Sequence, residues 1–338
     1  MGLKQSTPKS TNTIYSIASE AGVSPATVSR VLNGSSKVNQ QTRERVLEVI
    51  GRLEFVPKAE ARARALKRNY RIGILVPFFT APSFVQRLRG VAATLPTDYE
   101  LVVYAVNSTQ LLDGYLASLP LTGNLDGLIV MSLAINETQA QHLSNNHLET
   151  VLIEYPQTGF STVEIDDIKG GKLAAEYLVA KGHRRIAFLG DTNLPEYAIH
   201  PISQRLLGFR QKLNELGISL PDQYVRLASY SLEQARQVAA DFLKLPVPPT
   251  AIFAATDLQA MGVIMVARQM GLNIPGDLAV MGFDNLDMAE LMELTTIQQP
   301  LDESGRVAVE LLLERITTPT HSFQHVQLPL TIIERKTV

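Results

Sequence analysis

The apolar positions of this chain follow two different rhythms. Between Thr13 and Leu53 they recur at helical spacing. Ile14, Ile17, Ala18 and Ala21 fall on one face of a short amphipathic helix. Gly22 follows, the residue type best suited to the left-handed backbone that ends a helix and turns the chain. Ser24 stands where an N-cap is needed and Pro25 at the first helical position, so a second helix starts there. Along it Val28, Val31 and Leu32 face inward, while Ala26, Thr27, Ser29, Arg30 and Asn33 face outward. Asn39 or Thr42 could cap a third helix, whose apolar stripe is Val46, Leu47, Val49, Ile50 and Leu53. The bundle ends near Pro57.

From Arg71 the rhythm changes to short β-branched runs alternating with helical stretches. Strands are predicted at 72–78, 100–106, 127–132, 150–155, 185–190, 250–255 and 278–283, and amphipathic helices at 84–95, 170–182, 203–217, 231–244 and 257–271. Continuous apolar strands alternating with helices predict parallel sheets covered on both faces. Two such series, broken around residues 156–170, predict two doubly wound subdomains with a cleft between them. Ligands of such sheets bind beyond the carboxyl ends of the strands. The expected fold class is α/β. A flexible tail (1–12) leads into a three-helix helix-turn-helix domain (13–57), a linker (58–70) and a two-subdomain body (71–338). The linker KAEARARALKRNY has good helix propensity but no core-facing stripe, and a helix this short is marginal alone. It is expected to order only against a partner.

Two short helices, a tight turn and a small polar outer face with one Arg suit the reading of base edges in the DNA major groove. The plain alternative is an ordinary helical hairpin, which the coincidence of cap, turn and outer face disfavours. Charge points the same way. The net charge of −2 hides an asymmetry: residues 1–71 hold five carboxylates (Glu20, Glu44, Glu48, Glu54 and Glu60) against thirteen Lys and Arg, so the rest is acidic. A basic segment on an acidic body is the layout of a DNA-binding domain joined to a domain with another task.

Other features exclude more than they assign. A chain of 338 residues with 45% hydrophobic content supports two or three compact units. There is no cysteine, hence no disulfide framework and no cysteine metal site. The opening MGLKQSTPKSTN lacks the apolar core of a signal peptide, and no run reaches the length of a membrane span, so a cytoplasmic protein is expected. The six histidines show no metal-ligand spacing, and there is no phosphate-binding loop or nucleophile elbow. Neither an enzyme nor a cofactor or metal is expected; a transport-type solute-binding protein or a sugar-processing enzyme are the alternatives set aside.

SPATVSRVLNG with the downstream TRERVLEVI, KGHRRIAFLG (181–190), RLLGFR (205–210), PTAIFAATDLQAMG (249–262), IPGDLAVMGFDN (274–285) and LTTIQQP (294–300) occur together and in order. Across nearly the whole chain they resemble the LacI/GalR family of transcriptional repressors. The resemblance implies a body like a periplasmic sugar-binding protein, dimerisation, operator DNA as partner and a small sugar-like effector in the cleft. It implies a first subdomain of about 71–168 and 298–323 and a second of about 169–297 and 324–336. The implied DNA contacts are Thr13, Tyr15, Ser24, Pro25, Ala26, Thr27, Ser29, Arg30, Asn33, Lys37 and Asn39, with Lys58, Arg64 and Leu66 in the linker. Two departures stand out. Arg64 occupies the family's minor-groove leucine position, with Leu66 two residues later and Lys58 where Asn is usual. In the cleft, PFFTAPSF (77–84) replaces the family's polar residues with Phe78 and Ala81, and Thr256-Asp257 replaces an Asn-Asp pair.

Candidate effector contacts remain at the strand ends. Asp167, Arg205 and Asp284 offer directional hydrogen bonds to hydroxyls or a carboxylate. Tyr230 stands at the family's stacking position and could cover an apolar ring face, helped by Phe79 or Phe84. Ser132, Glu154 and Thr256 complete the set. Each has a structural alternative: Asp167 as cap of the helix near Gly170, Asp284 as cap of a turn with Asn285, and Phe78 as core.

Overall fold

A computed structural model describes residues 13–32, 37–53, 69–191, 195–228 and 231–338. The chain divides into two compact units, residues 1–69 and 70–338.

In the first unit α1 (Ile14–Ala21), α2 (Pro25–Leu32) and α3 (Gln40–Arg52) pack around Ile17, Ala18, Ala21, Val28, Val31, Val46 and Val49. Thr13 and Ser16 form a reciprocal capping box at the start of α1, and Gly22 closes it with φ 64°. Asn39 caps α3, its Oδ1 accepting from the Thr42 amide at 2.8 Å, which decides between the two candidates. Leu47 departs from the expected stripe and is half exposed. Val46, Val49, Ile50 and Leu53 fill the inner face at i, i+3, i+4 and i+7, and position 47 is rotated about 100° from 46.

The second unit holds two six-stranded sheets. The first contains β1 (Arg71–Val76), β2 (Glu100–Ala105), β3 (Gly127–Met131), β4 (Glu149–Ile153), β5 (Ser161–Glu164) and β11 (His325–Gln327), in the order β11-β5-β4-β3-β1-β2. The second contains β6 (Ile186–Asp191), β7 (Val225–Ala228), β8 (Ala251–Ala254), β9 (Ala279–Asp284), β10 (Thr295–Gln298) and β12 (Thr331–Ile333), in the order β12-β10-β9-β8-β6-β7. Every pairing is parallel except β10 with β12. The helices between them are α4 (Pro82–Thr94), α5 (Thr109–Thr122), α6 (Glu137–Asn145), α7 (Asp167–Ala180), α8 (Pro201–Glu215), α9 (Leu232–Leu243), α10 (Asp257–Gln269), α11 (Asp287–Leu291) and α12 (Leu301–Thr317).

The chain passes from one sheet to the other three times: after β5, after β10 and after β11. This corrects the expected division, which gave 324–336 to the second subdomain. β11 pairs with β5 in the first sheet, His325 opposite Thr162, so the last passage falls between Gln327 and Thr331. A three-residue strand carries too little periodicity to announce which sheet it joins.

Two helix crossings fix the geometry that matters below. A Cβ on Gly90 of α4 would overlap the Asp302 carbonyl, and one on Gly305 of α12 would overlap the Arg87 carbonyl. In the second half, a Cβ on Gly171 of α7 would overlap the Arg205 carbonyl, and one on Gly208 of α8 the Ile168 carbonyl. Glycine lets each pair of helices touch backbone to backbone.

Candidate functional site

Residues beyond the carboxyl ends of both sheets line a cleft that is partly open to solvent. Ser132 follows β3, Glu154 follows β4, Thr256 follows β8, Asp284 ends β9 and Gln299 follows β10. Three of them hold left-handed backbone without being glycine: Ser132 at φ 54°, Glu154 at 66° and Asp284 at 118°. Such conformations cost on the order of 1–3 kcal/mol each and collect where a side chain must be aimed. Here all three occur where a strand stops and its side chain meets the cleft.

The polar side chains form one chain of contacts along the cleft floor. Ser132 Oγ donates to Glu154 Oε2 at 2.6 Å, and Glu154 Oε1 pairs with Arg87 Nη2. The same Nη2 donates to Gln299 Oε1 at 3.1 Å, and Gln299 Nε2 donates to Asp284 Oδ1. Arg205 Nη1 lies 3.9 Å from Asp284 Oδ1 and donates to the Ala255 carbonyl at 2.6 Å, while its Nε donates to Asp167 Oδ1 at 2.8 Å. The Arg205 guanidinium also stacks 3.6 Å from the Phe283 ring centroid. Above this floor the walls are apolar: Phe78, Ala81 and Phe84 from the first half, Ala198, Ile199, Pro201 and Ile202 from the second.

Burial dominates the electrostatics. It pushes the Asp284 carboxyl up to about 6, against the opposing pull of Arg205 and the Gln299 hydrogen bond. It lowers Arg87 to about 10. Asp257, fully buried behind the cleft, is also pushed well up by burial and by the nearby Asp284. Its oxygens accept from Thr296 Oγ1 at 2.6 Å and the Leu286 amide at 2.7 Å, so it holds the loop after β9 in place.

Of the expected effector residues, Phe84, Ser132, Glu154, Arg205, Thr256 and Asp284 line the cleft. Thr256 also caps α10, its Oγ1 accepting from the Gln259 amide at 3.2 Å. Two expectations need correction. Phe79 is exposed and off the lining: the Ala81 amide donates to the Phe78 carbonyl at 2.8 Å, and this tight turn leaves Phe78 in the wall and Phe79 outside. Asp167 does not line the cleft but grips Arg205 from behind, and Asp166, not Asp167, caps α7. Tyr230 lies outside the described residues. Sequence reasoning missed Arg87 and Gln299. The signal for Arg87 was present: Phe84, Arg87, Leu88 and Val91 form an i, i+3, i+4, i+7 stripe, and a charge inside an inward stripe calls for an explanation.

In the first unit Tyr15, Pro25, Ala26, Arg30 and Lys37 are exposed, and Thr27 and Ser29 are half-buried. Thr13, Ser24 and Asn39 are exposed too, but their side-chain oxygens already serve helix starts; the Thr27 amide, for instance, donates to Ser24 Oγ at 3.2 Å. Asn33, Lys58, Arg64 and Leu66 lie outside the described residues, as does the side chain of Leu32.

A three-helix unit with an exposed readout helix, together with a two-sheet body holding a cleft at its strand ends, defines a DNA-binding regulator with a ligand-binding body. Residues 13–58 match the family "Bacterial regulatory proteins, lacI family", and residues 175–338 match "Periplasmic binding protein-like domain". Catabolite control protein A of Priestia megaterium is 33% identical over 335 residues, covering 94% of this chain and 96% of that protein. A LacI family regulator from Enterococcus faecium, solved with bound ribose, is 30% identical, with a TM-score of 0.69 over 79% of this chain and 98% of that one. The lac repressor dimer bound to operator and the anti-inducer ONPF is 26% identical, with a TM-score of 0.79 over 96% of this chain and 98% of that one. The chain belongs to the LacI family of bacterial transcriptional regulators. Among the described residues, no helix is long and apolar enough to cross a membrane.

Proposed function

We propose that this protein is a cytoplasmic repressor that binds a near-palindromic operator as a dimer, one α2 in each half-site, and that a small sugar-like effector in the cleft changes its DNA affinity. The observation that carries the effector reading is the polar floor, which runs from Ser132 and Glu154 in the first half to Asp284 and Arg205 in the second. A ligand seated on it touches both halves and so has unequal affinity for their open and closed arrangements, which is what a shift between states requires. Above that floor, the apolar walls suit a ligand with a hydrophobic face or an aglycone. The cleft is read as a binding site and not a catalytic one, because its carboxylates are engaged in positioning contacts.

The test begins with operator selection from random DNA and footprinting of the selected site. A symmetric footprint is expected, and Arg30→Ala should weaken specific binding by about 1–3 kcal/mol through the loss of a bidentate base contact. A footprint on a single asymmetric half-site would overturn the dimer reading. With effector, coupling must be reciprocal: DNA changes effector affinity by the factor by which effector changes DNA affinity. Asp284→Ala should abolish that response while operator binding persists, since the first unit has its own core. Full response in Asp284→Ala would remove Asp284 from the site.

A further inference from the structure

The connection between β6 and α8 is out of scale with its neighbours. Residues 192–200 fill it, nine positions where every other strand-to-helix connection has two to five. Such connections usually take about 2–6 residues, and much longer ones commonly carry a task of their own. Residues 195–200 of it leave their own half and attach to the other. The Ala198 amide donates to the Pro195 carbonyl at 2.9 Å, closing a turn. Leu133 and Ala198 then pair as an antiparallel bridge between the halves. On either side of that pair, the Ala134 amide donates to the Tyr197 carbonyl at 3.1 Å and the Ile199 amide to the Ser132 carbonyl at 3.2 Å.

Side chains follow the backbone. Tyr197 and Ala198 are 9% and 3% exposed and sit in the core of the first half, with Leu133, Ile135, Leu143 and Phe160. A segment of the second half thus plugs an aromatic ring into the first. Ala198 and Ile199 also line the cleft, and Pro201 ties the segment to α8, the helix that carries Arg205. The Ser132 carbonyl that Ile199 holds belongs to the residue that opens the polar floor. This attachment lies apart from the three passages: those leave β5, β10 and β11, whereas it joins the ends of β3 and β6, further into each sheet. Halves hinged along one side and pinned elsewhere part only when the pin is withdrawn. Withdrawal exposes a buried ring and gives up two backbone hydrogen bonds, both of which cost free energy.

We propose that residues 195–200 are a latch with Tyr197 as its plug: docked, they hold the two halves closed and complete the cleft wall, and undocked, they let the halves part so that a ligand can enter or leave. The latch deepens the effector reading above and rests on it only where operator affinity is measured.

The chain has no cysteine, so introduced thiols report on the latch alone. Leu133 and Ala198 form the close, non-hydrogen-bonded kind of antiparallel pair, whose Cα atoms stand about 4.5 Å apart. That separation falls within the roughly 4.4–6.8 Å that a disulfide spans. In the ligand-free full chain, Leu133→Cys/Ala198→Cys should close with oxidised glutathione at least tenfold faster than Leu133→Cys/Ile199→Cys, which is shifted by one residue. A second readout uses Ala81→Cys, a single thiol on the first-half wall of the cleft. Its labelling by N-ethylmaleimide should speed up at least fivefold when Tyr197→Ala is added, and stay within twofold of the parent with Tyr197→Phe, which keeps the ring. Equal closure of the two thiol pairs, or labelling unmoved by Tyr197→Ala, would overturn the latch. The crosslink needs no truncation of the core, so it decides even if Tyr197→Ala fails to fold. Titration of the selected operator separates the latch from the repressor reading. The oxidised and reduced forms of Leu133→Cys/Ala198→Cys should differ at least threefold in operator affinity. Thiol results as expected with no such difference support the latch and count against the repressor mechanism. Equal closure of both pairs in a protein whose operator binding responds to effector sinks the latch and leaves the repressor standing.

Discussion

In the second half of the body, α7 meets α8 where Gly171 lies on the Arg205 carbonyl; in the first, α12 meets α4 where Gly305 lies on the Arg87 carbonyl. Each crossing delivers one buried arginine to the shared cleft. Their surroundings differ. Arg205 is held on several sides by its own half, by Asp167, the Ala255 carbonyl and the face of Phe283. Arg87 hangs from one nitrogen, and one of its two partners, Gln299, belongs to the segment that joins the halves. The same device therefore yields an arginine tied within its own half on one side and, on the other, one bonded to the segment that joins the halves.

The comparison can be broken at its foundation. Gly171→Val and Gly90→Val should each cost about 3 kcal/mol or more, because two backbones must separate. Denaturant midpoints at constant slope measure this, and a cost confined to one half would mean that the crossings are not equivalent. Next in size, Arg205→Ala should destabilise by about 3 kcal/mol by stranding a largely buried Asp167 carboxylate. Arg87→Ala strands the still more buried Glu154 carboxylate and should cost a similar amount, about 2–3 kcal/mol, reduced only by the hydrogen bond that Glu154 keeps from Ser132. A loss below about 1 kcal/mol in either variant would mean that its carboxylate partner is not stranded.

A pH series sharpens it further. Asp284 titrates near 6 in the folded protein, above its unfolded value, so its contribution to stability is fully present below about pH 4 and lost as pH rises through 6. Asp284→Asn should remove a stability difference of about 2 kcal/mol between pH 4 and pH 7, read as a flatter dependence of Tm on pH. An unchanged slope would place the titration elsewhere. The smallest effect belongs to Arg89, two residues beyond Arg87 on the same helix. Arg89→Ala should leave Tm within error at neutral pH despite its pairs with Asp302 and Asp287, because the side chain is half exposed and water competes for it.

The helix-turn-helix and the alternating body were legible because each rests on a periodicity that one stretch of chain carries by itself. What escaped notice depended on distant partners. β5, β7, β10, β11 and β12 are three or four residues long, too short for alternation to rise above neighbouring loops. Arg205 and Asp284 could be named because they stand in motifs at strand or helix ends. Gln299 stands in such a motif too, yet its role appears only when Arg87, 212 positions away, is brought against it. PFFTAP offers two adjacent rings, and only the turn from Phe78 to Ala81 leaves Phe78 in the cleft wall and Phe79 outside it.

The three passages between the sheets have a consequence for anyone who would recombine this body with another. The first half is assembled from two separate stretches of the gene, the second of them supplying α12 and β11 near its end. A single-crossover chimaera made near residue 166 would import a foreign α12 onto native β3 and β4, where Ile129 and Val151 expect Ala308, Val309 and Leu312. Swapping effector specificity between relatives is therefore better done at the cleft lining, residue by residue, than by exchanging halves. Swapping operator preference needs one cut, because the first unit closes its own core before the body begins.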